Sequence, residues 1–202
     1  MNKGKRAYQK RRRAESEAAT RRRITEAAVE LHATVGPAQT TVAEIARRAG
    51  VQRLTVYLHF PDQRALFQAC TTHWFGLNPL PAGTASQGAG ALEQRLRSVL
   101  NEVYGYYRAH EQLISNWLRD AQLIPVLQEF AETGYYGYLV QLQDALLSEP
   151  AAGDQQDVRA MLLVALHFET WRLLTQRGGL SDEEAASDMT DAIVRKARSA
   201  IV

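Results

Sequence analysis

Apolar residues recur at helical spacing along most of this chain. From Thr20 onward, Ile24, Ala27, Ala28, Leu31 and Val35 share one face until Gly36-Pro37 interrupts them, which predicts a first helix. Thr41, with Glu44 three residues later, reads as a capping box opening a second helix. Its buried stripe is Val42, Ile45, Ala46 and Ala49, and Gly50 supplies its end. A short third helix is expected from about Gln52 to Phe60; Pro61-Asp62 ends it and opens a fourth from Gln63 toward Trp74 or Phe75. Residues 76 to 90, GLNPLPAGTASQGAG, have the composition of a connecting loop. Beyond it the periodicity predicts helices at about 91 to 109, 111 to 122, 125 to 148, 155 to 177 and 182 to 201. Breaks fall at His110, Pro125, Glu149 to Gly153 and Arg177 to Ser181, and Ser181 with Glu184 forms a second capping box. No segment alternates apolar and polar residues with β-branched enrichment, and no repeat or sustained heptad run is present, so the expected class is all-α.

Charge divides the same chain differently. Residues 1 to 64 carry fourteen Lys+Arg and six Asp+Glu, net +8, whereas residues 65 to 202 carry ten and sixteen, net −6. A basic head on an acidic body suits a head that meets a polyanion. Residues 1 to 19 hold Lys3, Lys5, Arg6 and Lys10 to Arg13 without apolar periodicity and are expected to form a flexible basic arm. The resulting division is an arm at 1–19, a three-helix head at 20–66 and a helical body at 67–202. No stretch has the length and apolarity of a membrane span or a secretory leader, so a cytoplasmic protein is expected. The single cysteine, Cys70, precludes an internal disulfide and reads as a small buried hydrophobe. The five histidines are scattered, and neither metal-ligand spacing nor a cofactor motif appears. A nucleophile with a partnered base, paired carboxylates and a phosphate-cradling Gly loop are likewise missing, which argues against an enzyme.

The second and third helices have the parts of a helix-turn-helix. Ala46 is small enough for close helix approach, Gly50 suits a left-handed turn, and Val51 anchors that turn. In the third helix Val56 and Phe60 lie four residues apart and face inward, leaving Gln52, Arg53, Leu54, Thr55, Leu58 and His59 on or near the opposite side. Arg53 can donate twice to a guanine edge and Gln52 can pair with adenine. Leu54 and Leu58 suit thymine methyls or sugars, or equally a neighbouring helix; Tyr57 suits a phosphate or a core position.

Residues 40 to 67, TTVAEIARRAGVQRLTVYLHFPDQRALF, resemble the DNA-binding signature of the TetR family, above all in the T-V-Y-x-H-F segment at 55 to 60. The resemblance implies an N-terminal helix-turn-helix head joined to a larger helical ligand-binding and dimerisation domain. It implies that Tyr57 and His59 approach phosphates and that Gln52, Arg53, Leu54 and Thr55 touch base edges, with Leu58 at a variable position. Thr41 and Arg64 complete the expected DNA-contacting set. Gln52 departs from the usual Ser, and Gln63 from a phosphate-reaching Lys for which Arg64 is the neighbouring substitute.

By the same resemblance the last two long helices pair with a second copy. Val158, Met161, Leu162, Ala165, Phe168, Glu169, Arg172 and Leu173 supply one stripe; Ala185, Met189, Ala192, Ile193 and Ala197 supply the other, though packing within one chain would also explain both. Trp74, Tyr104, Tyr107, Trp117, Tyr135 and Tyr138 are the candidate lining for a small apolar or aromatic ligand, or else ordinary core. The implied function is a homodimeric repressor released from a palindromic operator by a ligand. An activator of the same family, or a basic protein binding nucleic acid without sequence preference, are the alternatives.

Overall fold

A computed structural model describes residues 3–83, 86, 90–147 and 155–199; every regular element among them is helical. The chain divides into two compact units, Met1–Pro79 with Gln112–Gln128, and Leu80–Glu111 with Glu129–Val202. The boundary expected at residue 66 does not fall there. The fourth helix stays with the first unit because Leu66 and Cys70 belong to its core, and residues 112–128 join it through Asn116 and Asp120.

In the first unit, α1 runs Lys3–Thr34, α2 Val42–Ala49, α3 Arg53–His59 and α4 Gln63–Leu77. The expected irregular arm is helix instead from Lys3. Its polar residues support a helix that buries nothing: Arg11 and Glu15 pair at 2.8 Å across one turn, and residues 7–18 are exposed all round. Burial begins at Ile24, where Ile24, Ala27, Ala28 and Leu31 meet Ile45, Ala46, Ala49, Val56, Phe60, Leu66 and Cys70. Each large apolar side chain taken fully from water contributes about 1.5–3 kcal/mol, which is why this eleven-residue cluster holds three short helices that could not stand alone.

Two turns depend on glycine. Gly36 has φ 95°, and a Cβ there would collide with the Arg119 guanidinium and the Asp120 carboxylate. Gly50 ends α2 in the left-handed conformation, φ 65° and ψ 40°, with Val51 N donating to Ala46 O at 2.9 Å. The Thr41 cap is half of the expected capping box. Its hydroxyl oxygen accepts from Glu44 N at 3.2 Å, but the Glu44 carboxylate turns to Arg47 instead of returning to Thr41.

Helix α5, Leu92–Ala121, carries the break expected at His110: two helical stretches meet there across a kink, where His110 leaves helical geometry at φ −125°, ψ 20°. Its last turns belong to the first unit, where Asn116 donates to Ala33 O at 2.9 Å and the Asp120 carboxylate accepts from Ala38 N at 2.8 Å. These bonds satisfy backbone groups where α1 ends and the next turn begins.

The second unit contains the first part of α5, the π-helical turn Ala131–Tyr136, α7 Gly137–Leu146, α8 Gln155–Leu166, α9 Phe168–Arg172, the π-helical turn Leu173–Arg177 and α10 Asp182–Ser199. Helix α6, Pro125–Phe130, lies between Ala121 and the first π turn in sequence. The expected helix at 125–148 thus carries a π segment beside Gly134 and Gly137, and that at 155–177 breaks at His167. There the chain is extended, φ −74° and ψ 137°, and His167 Nδ1 accepts from Glu169 N to cap α9. The Ser181–Glu184 box is complete: Ser181 N donates to Glu184 Oε2 at 2.8 Å, and Glu184 N to Ser181 Oγ at 3.2 Å. The expected break at Glu149 to Gly153 lies outside the described residues. No described helix is long and apolar enough to cross a membrane.

Candidate nucleic-acid interface

Helix α3 is seven residues long and buries one side. Val56 is 1% exposed and Phe60, at its C-cap, is also buried, so the opposite side is turned outward by helical geometry. That side carries Leu54, Tyr57 and Leu58, exposed by 66%, 54% and 76%, together with exposed Gln52 and Arg53. Tyr57 is therefore no core tyrosine, and neither leucine packs into a neighbouring helix. Thr55 and His59 are half-buried at the margins of this face, while Thr41 and Arg64 are exposed at the starts of α2 and α4.

Gln52 occupies the N-cap of α3 without a side-chain capping bond. Its amide is consequently uncommitted to the helix start, in contrast to Asp62, whose carboxylate accepts from Ala65 N at 2.8 Å to cap α4. The arginines divide in the same way. Arg47 pairs with Glu44, holding that carboxyl below its ordinary range, and Arg48 pairs with Glu30 at 3.0 Å. Arg53 has no ion pair among the described residues, which leaves its guanidinium fork open to an outside acceptor.

Arg21 is a residue the sequence pattern did not single out. Its Nη1 donates to His59 O at 2.5 Å and its guanidinium lies 4.1 Å from the centre of the Phe60 ring. It thereby ties the end of α3 to α1 across 38 residues of sequence. Nothing in the local spacing around Arg21 signals this contact, since three successive arginines stand at 21–23.

The candidate aromatics are divided between the two units. Trp74 and Trp117 are half-buried residues of the first unit, whereas Tyr104, Tyr107, Tyr135 and Tyr138 belong to the second. Three of the tyrosines complete backbone bonds around the α8–α9 break: Tyr104 donates to Ala165 O at 2.8 Å, Tyr107 to Leu166 O at 2.7 Å, and Tyr135 accepts from Phe168 N at 2.8 Å. Burial raises the pKa of all three phenols, Tyr135 to about 12, so they stay protonated. Tyr138 is half-buried and donates to Pro81 O at 3.0 Å. Six of the thirteen anticipated pairing residues, Val158, Leu162, Ala165, Phe168, Ala185 and Ile193, are buried within one chain.

Two short helices at a tight glycine turn, the second presenting polar and apolar side chains outward, make a helix-turn-helix of the class that enters the DNA major groove. Residues 24–70 match the family model described as bacterial regulatory proteins, tetR family. The match covers the head, from α1 to the middle of α4, and it is there that the chain is similar to that family.

The whole chain has the fold of several solved proteins. A candidate TetR-family transcriptional regulator from Mesorhizobium loti MAFF303099 superposes with TM-score 0.65 at 20% identity, over 89% of this chain and 96% of that one. A transcriptional regulator from Rhodococcus sp. Rha1 gives 0.64 at 18% identity, over 90% and 98%. The regulator FadR from Bacillus subtilis, solved in complex with stearoyl-CoA, gives 0.63 at 20% identity, over 85% and 96%. No curated protein matches the chain.

Proposed function

We propose that this protein is a homodimeric, sequence-specific repressor of transcription, released from a palindromic operator by a small molecule. The observation that carries the DNA reading is the outward face of α3: Gln52 and Arg53 uncommitted within the fold, with Leu54, Tyr57 and Leu58 exposed around them. Arg53 and Gln52 read base edges, the two leucines meet thymine methyls or sugars, and Tyr57, His59, Thr41 and Arg64 hold phosphates. One seven-residue helix spans about 10 Å and reads only a few base pairs, so a two-fold pair of heads is needed for a specific site. Exposed Leu163 and Val164 on α8, with exposed Leu173 of the anticipated stripe just after α9, offer apolar surface for that pairing. Ligand release is supported by the stearoyl-CoA complex of the B. subtilis regulator of the same fold.

The test is selection from a pool of random duplex DNA by purified protein, with the double variant Arg53→Ala, Tyr57→Phe alongside. An enriched two-fold symmetric site that the variant fails to select is the expected result. Binding that enriches no sequence and fades with salt would instead support non-specific attachment through the basic N-terminal helix.

A further inference from the structure

The head holds a partly open cavity of about 240 Å³ between the end of α1, the start of α2, α3 and α4. Its wall is mainly apolar, with Val42, Ile45, Val56, Phe60, Leu66 and Phe67 contributing. A cavity of roughly 150 Å³ holds one benzene ring, so this one has room for a single ring with substituents or two fused rings.

Its polar groups are unequal. Thr40 donates its hydroxyl to Gly36 O at 2.8 Å, and the Asp62 carboxylate accepts from Ala65 N. His32 is different: it lines the cavity, is only 8% exposed, and stacks obliquely on Phe67 at 5.4 Å. Its imidazole makes no hydrogen bond to any described residue, although its backbone oxygen accepts from Asn116. A buried imidazole with an open ring nitrogen is a site for one hydrogen bond beside the apolar part of this wall.

We infer that this cavity binds a small neutral aromatic molecule bearing a single hydroxyl or ring N–H, which donates to the His32 imidazole. An anionic ligand is disfavoured because the Asp62 carboxylate lines the cavity and the Asp120 carboxylate acts on His32 from outside it, and the apolar wall disfavours a charged guest of either sign. The cavity also includes Val56, Tyr57 and Phe60, consecutive turns of α3 and its cap, so a guest bears directly on the helix that faces DNA. This is a site in the head, separate from the ligand of the helical body proposed above.

Phenol and benzene are the probes, titrated into the full-length protein and followed by amide and imidazole NMR shifts. Phenol is expected to saturate one site per chain, with shifts centred on His32, Val42, Val56 and Phe67, and to bind about tenfold more tightly than benzene. His32→Leu should erase that preference while leaving benzene bound, and Val42→Phe, which fills the space, should remove both. Phenol should weaken binding to the selected duplex by wild type and leave the Val42→Phe variant unaffected. Absence of saturation, shifts centred elsewhere, or a phenol preference that survives His32→Leu would each overturn the site; saturation without any effect on the duplex would overturn the link to α3. The NMR arm uses no DNA, so its outcome is independent of whether the operator reading holds.

Discussion

His32 gives the head a pH dependence that can be worked out quantitatively. Burial lowers its pKa from 6.5 to about 4, and the nearby Asp120 carboxylate opposes that only in part. The unfolded chain therefore takes up a proton near pH 6.5, while the folded head refuses it until about pH 4. Stability is unaffected well above pH 6.5 and falls as pH drops through the interval between the two values. At pH 5 the linkage amounts to about 2 kcal/mol, and it approaches about 3 kcal/mol below pH 4. Asp120 titrates in a lower window: burial pushes its carboxyl up, but the bonds from Arg119 and Ala38 N outweigh this and hold it below 3.8. It loses its partners' stabilisation only as pH falls through that lower range, so it does not obscure measurements at pH 5. Burial also lowers His110 and His167, which is why a comparison variant is needed.

The assay is native-state hydrogen exchange at the core amides of Ala28 and Leu31 between pH 7.5 and 5, for wild type and His32→Leu. The variant starts from a different absolute stability because its contact with Phe67 changes. The difference between the two should shift by about 2 kcal/mol toward the variant over that interval. Parallel profiles, agreeing within about 0.5 kcal/mol, would show that the imidazole is not held neutral and would refute the reasoning.

Four further substitutions test the packing. Gly36→Ala meets both a positive φ and a collision with Arg119 and Asp120, and should cost about 2–4 kcal/mol in urea unfolding; Gly50→Ala, also at positive φ but with open space at its Cβ, should cost only about 1 kcal/mol. Tyr107→Phe removes the donor to Leu166 O and a neighbour of the Tyr135 hydroxyl, and should lower stability by about 1–3 kcal/mol, whereas a phenol without a structural role would tolerate the change. Arg95 is buried with its Nε unpartnered, while Nη1 donates to Ser86 O at 2.8 Å. Arg95→Met should therefore leave thermal stability within about 1 kcal/mol of wild type or raise it, and a loss above about 3 kcal/mol would mean that the guanidinium is better compensated than its bonds indicate.

Local patterns carried far in the head. The inward positions Ile24, Ile45, Val56 and Phe60, the turn at Gly50 and the cap at Thr41 all follow from spacing of a few residues, because a short helix on a single core leaves each side chain only one productive direction. The outward face of α3 is the complement of that burial and was legible for the same reason. The second capping box, Ser181 with Glu184, was equally local.

What spans the chain was decided by tertiary structure. A pattern of apolar residues reports that a helix is buried, but not against what. So the aromatics read as a candidate lining proved to include Tyr104, Tyr107 and Tyr135, whose hydroxyls serve the backbone near His167, a break that no Gly or Pro announces. The arm at 3–19 became helix because charged residues can stabilise one another a turn apart without burying anything, and apolar periodicity is silent about that. Asn116 and Asp120 reach the end of α1 from more than eighty residues away, and Arg21 reaches α3 from 38. The sequence by itself thus determined which surfaces turn inward and which face of α3 is left outward, since both are properties of one short segment. Only the folded chain determined which buried polar groups found partners and left His32 beside an open space, because hydrogen bonds and cavities depend on segments that meet only in three dimensions.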